Sequence, residues 1–269
     1  MQVDYTGHFG NDLMTVDSAR VSFNKKSSFI DIRQASVPEH RAGSDTATLY
    51  NAYIDQQRNR LVTSVLGFND FKLIHYLATA RPVHWAPFSH AQAQFRITVP
   101  VAIAAQLKRS VVGFALSEVS RRYVDAPPEF YIPTRWRSRP DKSIKQGSGT
   151  GEVTHIVVPI EWENPMIGDA PSLISIEYAK FLKYAENMYA RMIKAGVAPE
   201  MARFVLPQSM YTSWIWTGSV YAWARVCKLR STNGHAQEES AVIARQISDA
   251  MAEVFPATWQ CLMLSNSVA

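Results

Sequence analysis

The alternation of apolar and polar residues is clearest over residues 91–99. Every odd position in this segment is apolar, and the even positions hold Gln, Arg or Thr. A period of two predicts a half-buried strand. Apolar residues then recur every fourth position through Ile103, Leu107 and Val111. This spacing predicts a helix over residues 101–112, which Gly113 ends.

The strongest helical pattern follows Pro171. Apolar side chains recur there at spacings of four and three, at Ile174, Tyr178, Phe181, Ala185, Met188 and Met192. Gly196 is suited to end this helix. We also predict a helix and then a turn over residues 11–23, a helix between Pro199 and Pro207, and helical stretches near 209–228 and 236–254. The apolar run at residues 153–160 predicts a second strand.

Two segments carry little periodicity. Residues 25–68 are interpreted as loops and short helices on the outside of the protein, and the basic run RWRSRPDKSIKQGSGTG at residues 135–151 as an exposed loop. Strands mixed with about five helices, without βαβ alternation, predict an α+β fold with a mixed or antiparallel sheet flanked by helices. We expect a single domain over residues 1–269, in which 25–68 and 135–151 are divergent or inserted.

Composition narrows the class of protein. The chain is 47% hydrophobic with 12 Gly and 14 Pro, which excludes collagen-like and disordered chains. Its two cysteines are too few for a disulfide framework, and no CxxC pair suggests zinc. The N-terminal residues lack a secretory pattern, and no window approaches the roughly 18 apolar residues of a membrane span. We therefore expect a cytoplasmic protein that binds neither metal nor membrane.

The net charge of +5 suggests a preference for anions. The densest polar segment is QLKRSVVGFALSEVSRRY at residues 106–123. Arginines beside a serine and the amides of a turn are suited to a phosphate, because the guanidinium donates a planar fork. The alternative is a solvated helix end in which Glu118 and Arg122 form a local ion pair.

Three further segments carry candidate chemistry. The histidines of HWAPFSH at residues 84–90 are six apart and lack a metal-binding spacing, so we expect packed histidines in a turn. Arg230 and His235 flank a break between helices, where both side chains could face a cleft. The alternative is that Arg230 is a cation at a helix C-terminus, where it interacts favourably with the helix dipole. Arg203 lies in an otherwise apolar helix. We expect its side chain either to lie at the edge of the apolar face or to pair with an anion. Common nucleophile and phosphate-loop motifs are absent from the sequence.

Five segments in order resemble the flavin-dependent thymidylate synthase family. They are GNDLMTVDSARVSF at 10–23, HWAPFSH at 84–90, SEVSRRYVDAPPEFYIP at 117–133, APEMARFVLPQSMYT at 198–212 and LRSTNGHAQEE at 229–239. The resemblance implies a homotetramer that binds FAD and dUMP at subunit junctions. In such an enzyme a methylene from methylenetetrahydrofolate passes to C5 of uracil, reduced flavin recharged by NADPH supplies a hydride, and no enzyme cysteine attacks the pyrimidine.

The resemblance also implies roles for individual residues. The nucleotide would be held by Gln106, Glu118, Ser120, Arg121, Arg122, Arg203 and Arg230. Ser120 and Arg122 would lie near its phosphate, and Arg230 would act in catalysis by contacting a uracil carbonyl. FAD would be held by Ser22, His84, Arg109 and His235.

The chain departs from the family pattern on the flavin side. Ser110 and Val111 follow Arg109 where the family has His and then Arg or Gln, and Ser117 replaces an Asn before Glu118. This asymmetry leaves two alternatives open, a dUMP or dCMP 5-hydroxymethylase on the same scaffold and a non-catalytic nucleotide-binding homologue. We do not expect the basic loop at residues 135–145 to bind nucleic acid.

Overall fold

A four-stranded antiparallel sheet lies at the centre of the chain. The computed structural model describes residues 1–142, 147–158, 170–231 and 237–265. The strands are β1 (Gln2–Phe9), β2 (Ile30–Asp31), β3 (Ser64–Val65), β4 (Gln92–Pro100), β5 (Phe114–Glu118), β6 (His155–Val158), β7 (Ala170–Leu173) and β8 (Tyr211–Ser219). The main sheet has the order β1-β4-β8-β5, while β2 with β3 and β6 with β7 form two small antiparallel ribbons.

Helices pack around this sheet. They are α1 (Asp12–Arg20), α2 (Asp45–Asn59), α3 (Phe68–Thr79), α4 (Val101–Leu107), α5 (Ile174–Lys194), α6 (Pro199–Ala202), α7 (Val220–Leu229), α8 (Glu238–Val254) and α9 (Pro256–Leu264). The predicted α+β class with an antiparallel sheet flanked by helices is confirmed. The strand predicted at residues 91–99 and the helix predicted after Pro171 are also confirmed, as β4 and α5.

The central pair of strands is β4 and β8, in register from Gln92 opposite Ser219 to Pro100 opposite Tyr211. The prediction of a helix over residues 209–228 is wrong in its first half, because β8 occupies it and α7 follows. Thr212, Trp214 and Trp216 alternate as buried residues along β8. Because this aromatic-rich segment pairs with β4 on one side and β5 on the other, it is more stable as a strand than as a helix.

Gly218 of β8 lies under the ring of Phe114, its partner on β5. A Cβ atom added at Gly218 would lie 2.2 Å from that ring, so a side chain at this position would require the Phe114 ring to move. The Phe114 ring also contacts Trp216 and Trp223, with centroid distances of 4.6 and 4.7 Å. This aromatic cluster fixes the start of β5, and therefore the path toward its functional end.

Residues 25–68 differ from the prediction of outer loops, because they contain the 15-residue helix α2. Ser44 caps this helix by accepting a hydrogen bond from the amide of Ala47. Tyr50 and Tyr53 are buried in the core, and their hydroxyls bond the backbone of Leu66. Apolar spacing was present in this segment but was interrupted by Thr, Asn and Gln, which hid it.

Helix α4 is shorter than predicted and ends at Leu107. The chain turns there, because β5 must begin at Phe114 to pair with β8. Gly113 has a φ of +83°, a left-handed conformation that favours glycine. Val111 and Val112 consequently lie in the turn, exposed by 67% and 71%, rather than on a buried helix face.

The two ends of the chain are joined through a buried carboxylate. Asp12, at the start of α1, accepts hydrogen bonds of 2.9 Å from the amides of both Ala257 and Thr258. These amides belong to the first turn of α9 and have no partners within their own helix. Asp12 therefore caps α9 from a position 245 residues earlier in the chain.

Candidate functional site

Four of the predicted nucleotide residues line one pocket at the end of β5. Glu118, Ser120, Arg121 and Arg203 share this pocket, whose volume is about 450 Å³, with residues from the start of β8. Glu118 ends β5, Ser120 and Arg121 begin the following turn, and Arg203 follows α6. Glu118 and Arg203, which are 85 positions apart in sequence, thus line one pocket at the place where β5 pairs with β8.

The arginines at this pocket have spare hydrogen-bond donors. Arg203 donates from Nε to the carbonyl of Glu200 at 3.2 Å, and Arg121 donates to the carbonyl of Ala126. Arg122 is exposed beside the pocket, with Nε 3.4 Å from Ser120 Oγ. Within the part of the chain that the structure describes, none of the three arginines forms an ion pair with a carboxylate. They are available to an anion.

Glu118 is held by partners other than the neighbouring arginines. Its carboxylate forms an ion pair with Lys108 and accepts a 2.7 Å hydrogen bond from Thr212. The Lys108 ammonium also lies 4.9 Å from the centre of the Trp214 ring. The alternative of a Glu118–Arg122 helical pair is wrong, because Glu118 lies on a strand and the i,i+4 geometry of a helix is absent.

Gln106 and Arg230 form a second group beside the Lys108–Glu118 pair. Arg230 Nη2 donates to the Gln106 carbonyl at 2.9 Å, and Ser240 Oγ donates to the Gln106 side-chain oxygen. Arg230 Nε is buried without a hydrogen-bond partner in the described structure. Burial, and then the charge of Arg109, lower the pKa of Arg230. A half-buried cation with a free donor is suited to polarise a carbonyl or to hold an anion.

Ser22 and His84 meet in a groove of about 810 Å³. The groove is also lined by Phe23, Tyr76 and Trp85, which are exposed by 76%, 60% and 57%. The expectation of packed histidines is wrong, since His84 is exposed and Phe88 of the same segment enters the core.

Arg109, the third predicted FAD residue, is exposed in the turn after α4 and does not line this groove. His235 lies outside the described residues. The structure therefore brings together two of the four FAD residues that the resemblance implies.

Three residues that hold the site were not predicted from sequence. They are Lys108, Thr212 and Ser240, which fix Glu118 and Gln106. Thr212 and Ser240 lie 94 and 134 positions from their partners, so no local pattern could reveal those contacts. Lys108 lies inside the basic segment, but its direction toward Glu118 depends on where α4 ends.

Two arginines of the basic loop pair with carboxylates of α8. Arg135 pairs with Glu238 at 2.7 Å, while Arg137 pairs with Glu238 at 3.1 Å and with Glu239 at 2.8 Å. The side chain of Arg137 is only 16% exposed, so the prediction of a wholly exposed loop is wrong at this position. Two of the cations that had suggested a nucleic-acid surface are therefore paired within the chain.

The described residues show neither a metal-binding cluster nor a membrane-spanning helix. They contain no group of three or more His, Cys, Asp and Glu side chains placed to hold a metal ion. None of their helices is both long and apolar enough to cross a membrane.

Known proteins are similar to this chain in sequence. The family described as thymidylate synthase complementing protein matches residues 3–257. A flavin-dependent thymidylate synthase of Kosmotoga olearia is 31% identical over 194 residues, which cover 72% of this chain and 76% of the relative. The enzyme of the same name from Thermotoga neapolitana is 25% identical over 266 residues, covering 97% of this chain and 90% of the relative.

Solved structures show the same fold. The UMP/dUMP methylase PolB from Streptomyces cacaoi, bound with 5-Br UMP, has a TM-score of 0.67 at 22% identity and covers 97% of this chain and 92% of its own. Its complex with 5-Br dUMP has a TM-score of 0.66 at 23% identity, covering 99% and 96%.

The flavin-dependent thymidylate synthase relatives and the shared antiparallel α+β fold identify the chain as an enzyme of the methyltransferase type. The chain belongs to the thymidylate synthase complementing protein family, whose curated relatives are flavin-dependent thymidylate synthases. Family membership implies a flavin cofactor. The resemblance seen in the sequence is confirmed.

Proposed function

We propose that this protein transfers a one-carbon unit from methylenetetrahydrofolate to C5 of the uracil ring of dUMP, giving dTMP, with FAD as cofactor and NADPH as reductant. The observation that carries the proposal is the pocket at the end of β5. Arg121 and Arg203 line it without ion pairs among the described residues, and Ser120 lines it as well and accepts a hydrogen bond from Arg122. The names of the relatives, and the nucleotides bound to PolB, support a pyrimidine nucleotide as the anion.

Each residue at the pocket has a distinct role in this proposal. Ser120, Arg122 and Arg203 bind the phosphate through charge-assisted hydrogen bonds. Arg121 adds positive charge to the same wall. Glu118, already oriented by Lys108 and Thr212, offers a fixed carboxylate acceptor to the nucleotide.

Arg230 is the residue that we assign to catalysis. Its guanidinium donates to a uracil carbonyl and stabilises the enolate-like charge that develops there when C5 reacts. Gln106 accepts one Arg230 donor through its backbone carbonyl and so limits the orientation of the guanidinium. The Nε of Arg230 is buried without a hydrogen-bond partner in the described structure, and such a ligand would supply one.

The groove that contains Ser22 and His84 fits a flavin. Exposed aromatic faces at Phe23, Tyr76 and Trp85 suit a flat ring system, and the serine and histidine supply polar contacts. When bound, FAD would supply the redox chemistry of the transfer. The protein would bind and orient it, with Arg109 and His235 as the further FAD residues.

The same placement supports the homotetramer that the family resemblance implies. Arg109 does not line the groove that Ser22 and His84 share within one chain. We propose that a second copy contributes the missing polar groups, so that each flavin and nucleotide site lies at a subunit junction. We expect the assembled enzyme to act in the cytoplasm.

The experiment that tests this proposal combines a spectrum with a product assay. Purified protein should show the absorbance of oxidised flavin, and incubation with dUMP, NADPH and labelled methylenetetrahydrofolate should yield labelled dTMP. A product carrying a hydroxymethyl group would replace the synthase with the hydroxymethylase. A colourless protein that binds dUMP but not FAD would instead identify a non-catalytic homologue.

A further inference from the structure

All three nitrogens of the Arg137 guanidinium donate hydrogen bonds inside the chain. Nη2 donates to Glu239 at 2.8 Å, Nη1 donates to Glu238 at 3.1 Å, and Nε donates to Ser148 Oγ at 2.6 Å. The side chains of Arg137 and Glu239 are only 16% and 8% exposed. Such a buried, multiply bonded pair holds the loop against the beginning of α8 much more firmly than a surface ion pair would.

The first turn of α8 is held by contacts of its carboxylates. Gln237 is the N-cap residue and provides no side-chain capping hydrogen bond. Glu238 and Glu239 form the first turn, where Arg137 pairs with both carboxylates and Tyr131 donates a longer hydrogen bond of 3.5 Å to Glu239. Burial would raise the pKa of Glu239, but the hydrogen bonds from Arg137, from the Glu239 amide and from Gln237, together with the charge of Arg137, outweigh it and the pKa is lowered. The carboxylate is therefore charged at neutral pH.

The next residue connects this turn to the proposed nucleotide site. Ser240 is fully buried and donates its hydroxyl to the side chain of Gln106. The Gln106 carbonyl in turn accepts the 2.9 Å hydrogen bond from Arg230. Since Glu239 and Ser240 are adjacent on one helical turn, a movement of either displaces the other.

We propose that Arg137 is a positioning residue for the nucleotide, which acts through Glu239, Ser240 and Gln106 to orient Arg230. The inference rests on the proposed function, in which Arg230 contacts the pyrimidine. Loss of Arg137 frees the first turn of α8, withdraws Ser240 from Gln106 and leaves Arg230 without a fixed direction. Small displacements of this kind at a binding group weaken binding without any loss of a direct ligand contact.

Arg135 provides a matched control for Arg137. It belongs to the same loop and pairs with the same helix, but its partner is Glu238 alone. The side chains of this pair are 47% and 54% exposed, and exposed ion pairs contribute little. Arg135→Met therefore removes the same charge from the loop while the contact to Glu239 remains.

The test measures dUMP binding by titration calorimetry on the purified holoenzyme, well below its unfolding temperature. We expect Arg137→Met to raise the Kd about five- to tenfold, and Arg135→Met to leave it within about twofold. Arg137→Lys should recover part of the affinity. If Arg137 acts through Ser240, the double variant Arg137→Met/Ser240→Ala should bind no more weakly than the more affected single variant.

Two results would overturn the inference while the proposed function stands. One is wild-type affinity in Arg137→Met together with a lowered unfolding temperature, which would make Arg137 a purely structural residue. The other is full additivity in the double variant. If Arg137→Met does not fold, Ser240→Ala decides alone, since wild-type affinity there breaks the proposed path and weakened binding supports it. Wild-type protein that binds no dUMP would refute the proposed function and this inference together.

Discussion

Arg203 makes one hydrogen bond in the structure, to the carbonyl of Glu200, and otherwise presents its guanidinium to the pocket beside Ser120. Arg137, by contrast, donates from each of its three guanidinium nitrogens, to Glu238, Glu239 and Ser148. The same side chain therefore serves as a ligand-binding group in one place and as an internal tie in another. The distinction lies in the partners, which sequence does not display.

The substitution Arg203→Met tests whether this single side chain binds the phosphate. Because the guanidinium is assigned to the phosphate, the variant should bind dUMP roughly 10- to 100-fold more weakly, while its weak affinity for deoxyuridine, which has no phosphate, should be unchanged. Titration calorimetry with both ligands measures the difference. Arg33→Met is the control, because Arg33 pairs with Asp31 at an exposed position away from the pocket. An equal loss of affinity for both ligands would contradict the phosphate assignment.

The residue types of this site could be predicted from the sequence, but their arrangement could not. Runs of Arg and Ser after β5 indicated an anion, and the pocket contains Ser120 and Arg121 from that run. The partner of Glu118 was predicted wrongly, because a strand and not a helix carries it. Lys108 forms the ion pair with Glu118. This pairing could not be predicted from the sequence, because it depends on where α4 ends.

At the scale of elements, α9 depends on a side chain from the other end of the chain. Asp12 is 4% exposed and accepts two hydrogen bonds from the first turn of α9. Negative charge at a helix N-terminus is favourable because it meets unsatisfied amides and the positive end of the helix dipole. The cap therefore couples α1 to α9, and both pack on α3.

Asp12→Ala should lower the free energy of unfolding by about 2 kcal/mol, since it leaves two buried amides without an acceptor. Urea denaturation followed by circular dichroism measures the change. Asp55→Ala serves as control, because Asp55 is a helix-surface residue with a side chain 70% exposed. A loss for Asp12→Ala no larger than that of the control would show that the cap contributes nothing to stability.

Periodicity predicted the elements whose pattern is complete within their own sequence. β4 and α5 each show a long uninterrupted pattern, and both were found. β8 was taken for helix because its apolar residues run without a break into those of α7. Its strand identity comes from pairing with β4 and β5, more than 90 residues earlier, and this pairing leaves no local mark.

At the scale of the whole molecule, both cysteines are enclosed by the core. Cys227 donates its thiol to the carbonyl of Ala244 at 3.4 Å, and Cys261 is fully buried. Burial raises the pKa of both thiols well above the ordinary value of 9.0. A thiol that stays protonated and out of contact with solvent is not a nucleophile. This agrees with a reaction in which no enzyme cysteine attacks the pyrimidine.

The native protein should therefore resist thiol reagents. With DTNB at pH 8 we expect almost no release of thionitrobenzoate from the folded protein, and release equivalent to both cysteines in guanidinium chloride. Below the raised pKa values the thiols remain protonated, so a moderate increase in pH should not speed the native reaction. Iodoacetamide should likewise leave turnover unchanged. Rapid labelling with loss of activity would contradict the enclosed position of these residues.

The contact of Phe114 with Gly218 places a condition on how this chain can change over evolutionary time. A side chain at position 218 would require the Phe114 ring to move, so a substitution there is costly for as long as position 114 is aromatic. A smaller residue at 114 lowers that cost but also removes contacts with Trp216 and Trp223. The two positions are therefore epistatic. A substitution at 218 is tolerated better after the aromatic ring at 114 has been lost than before.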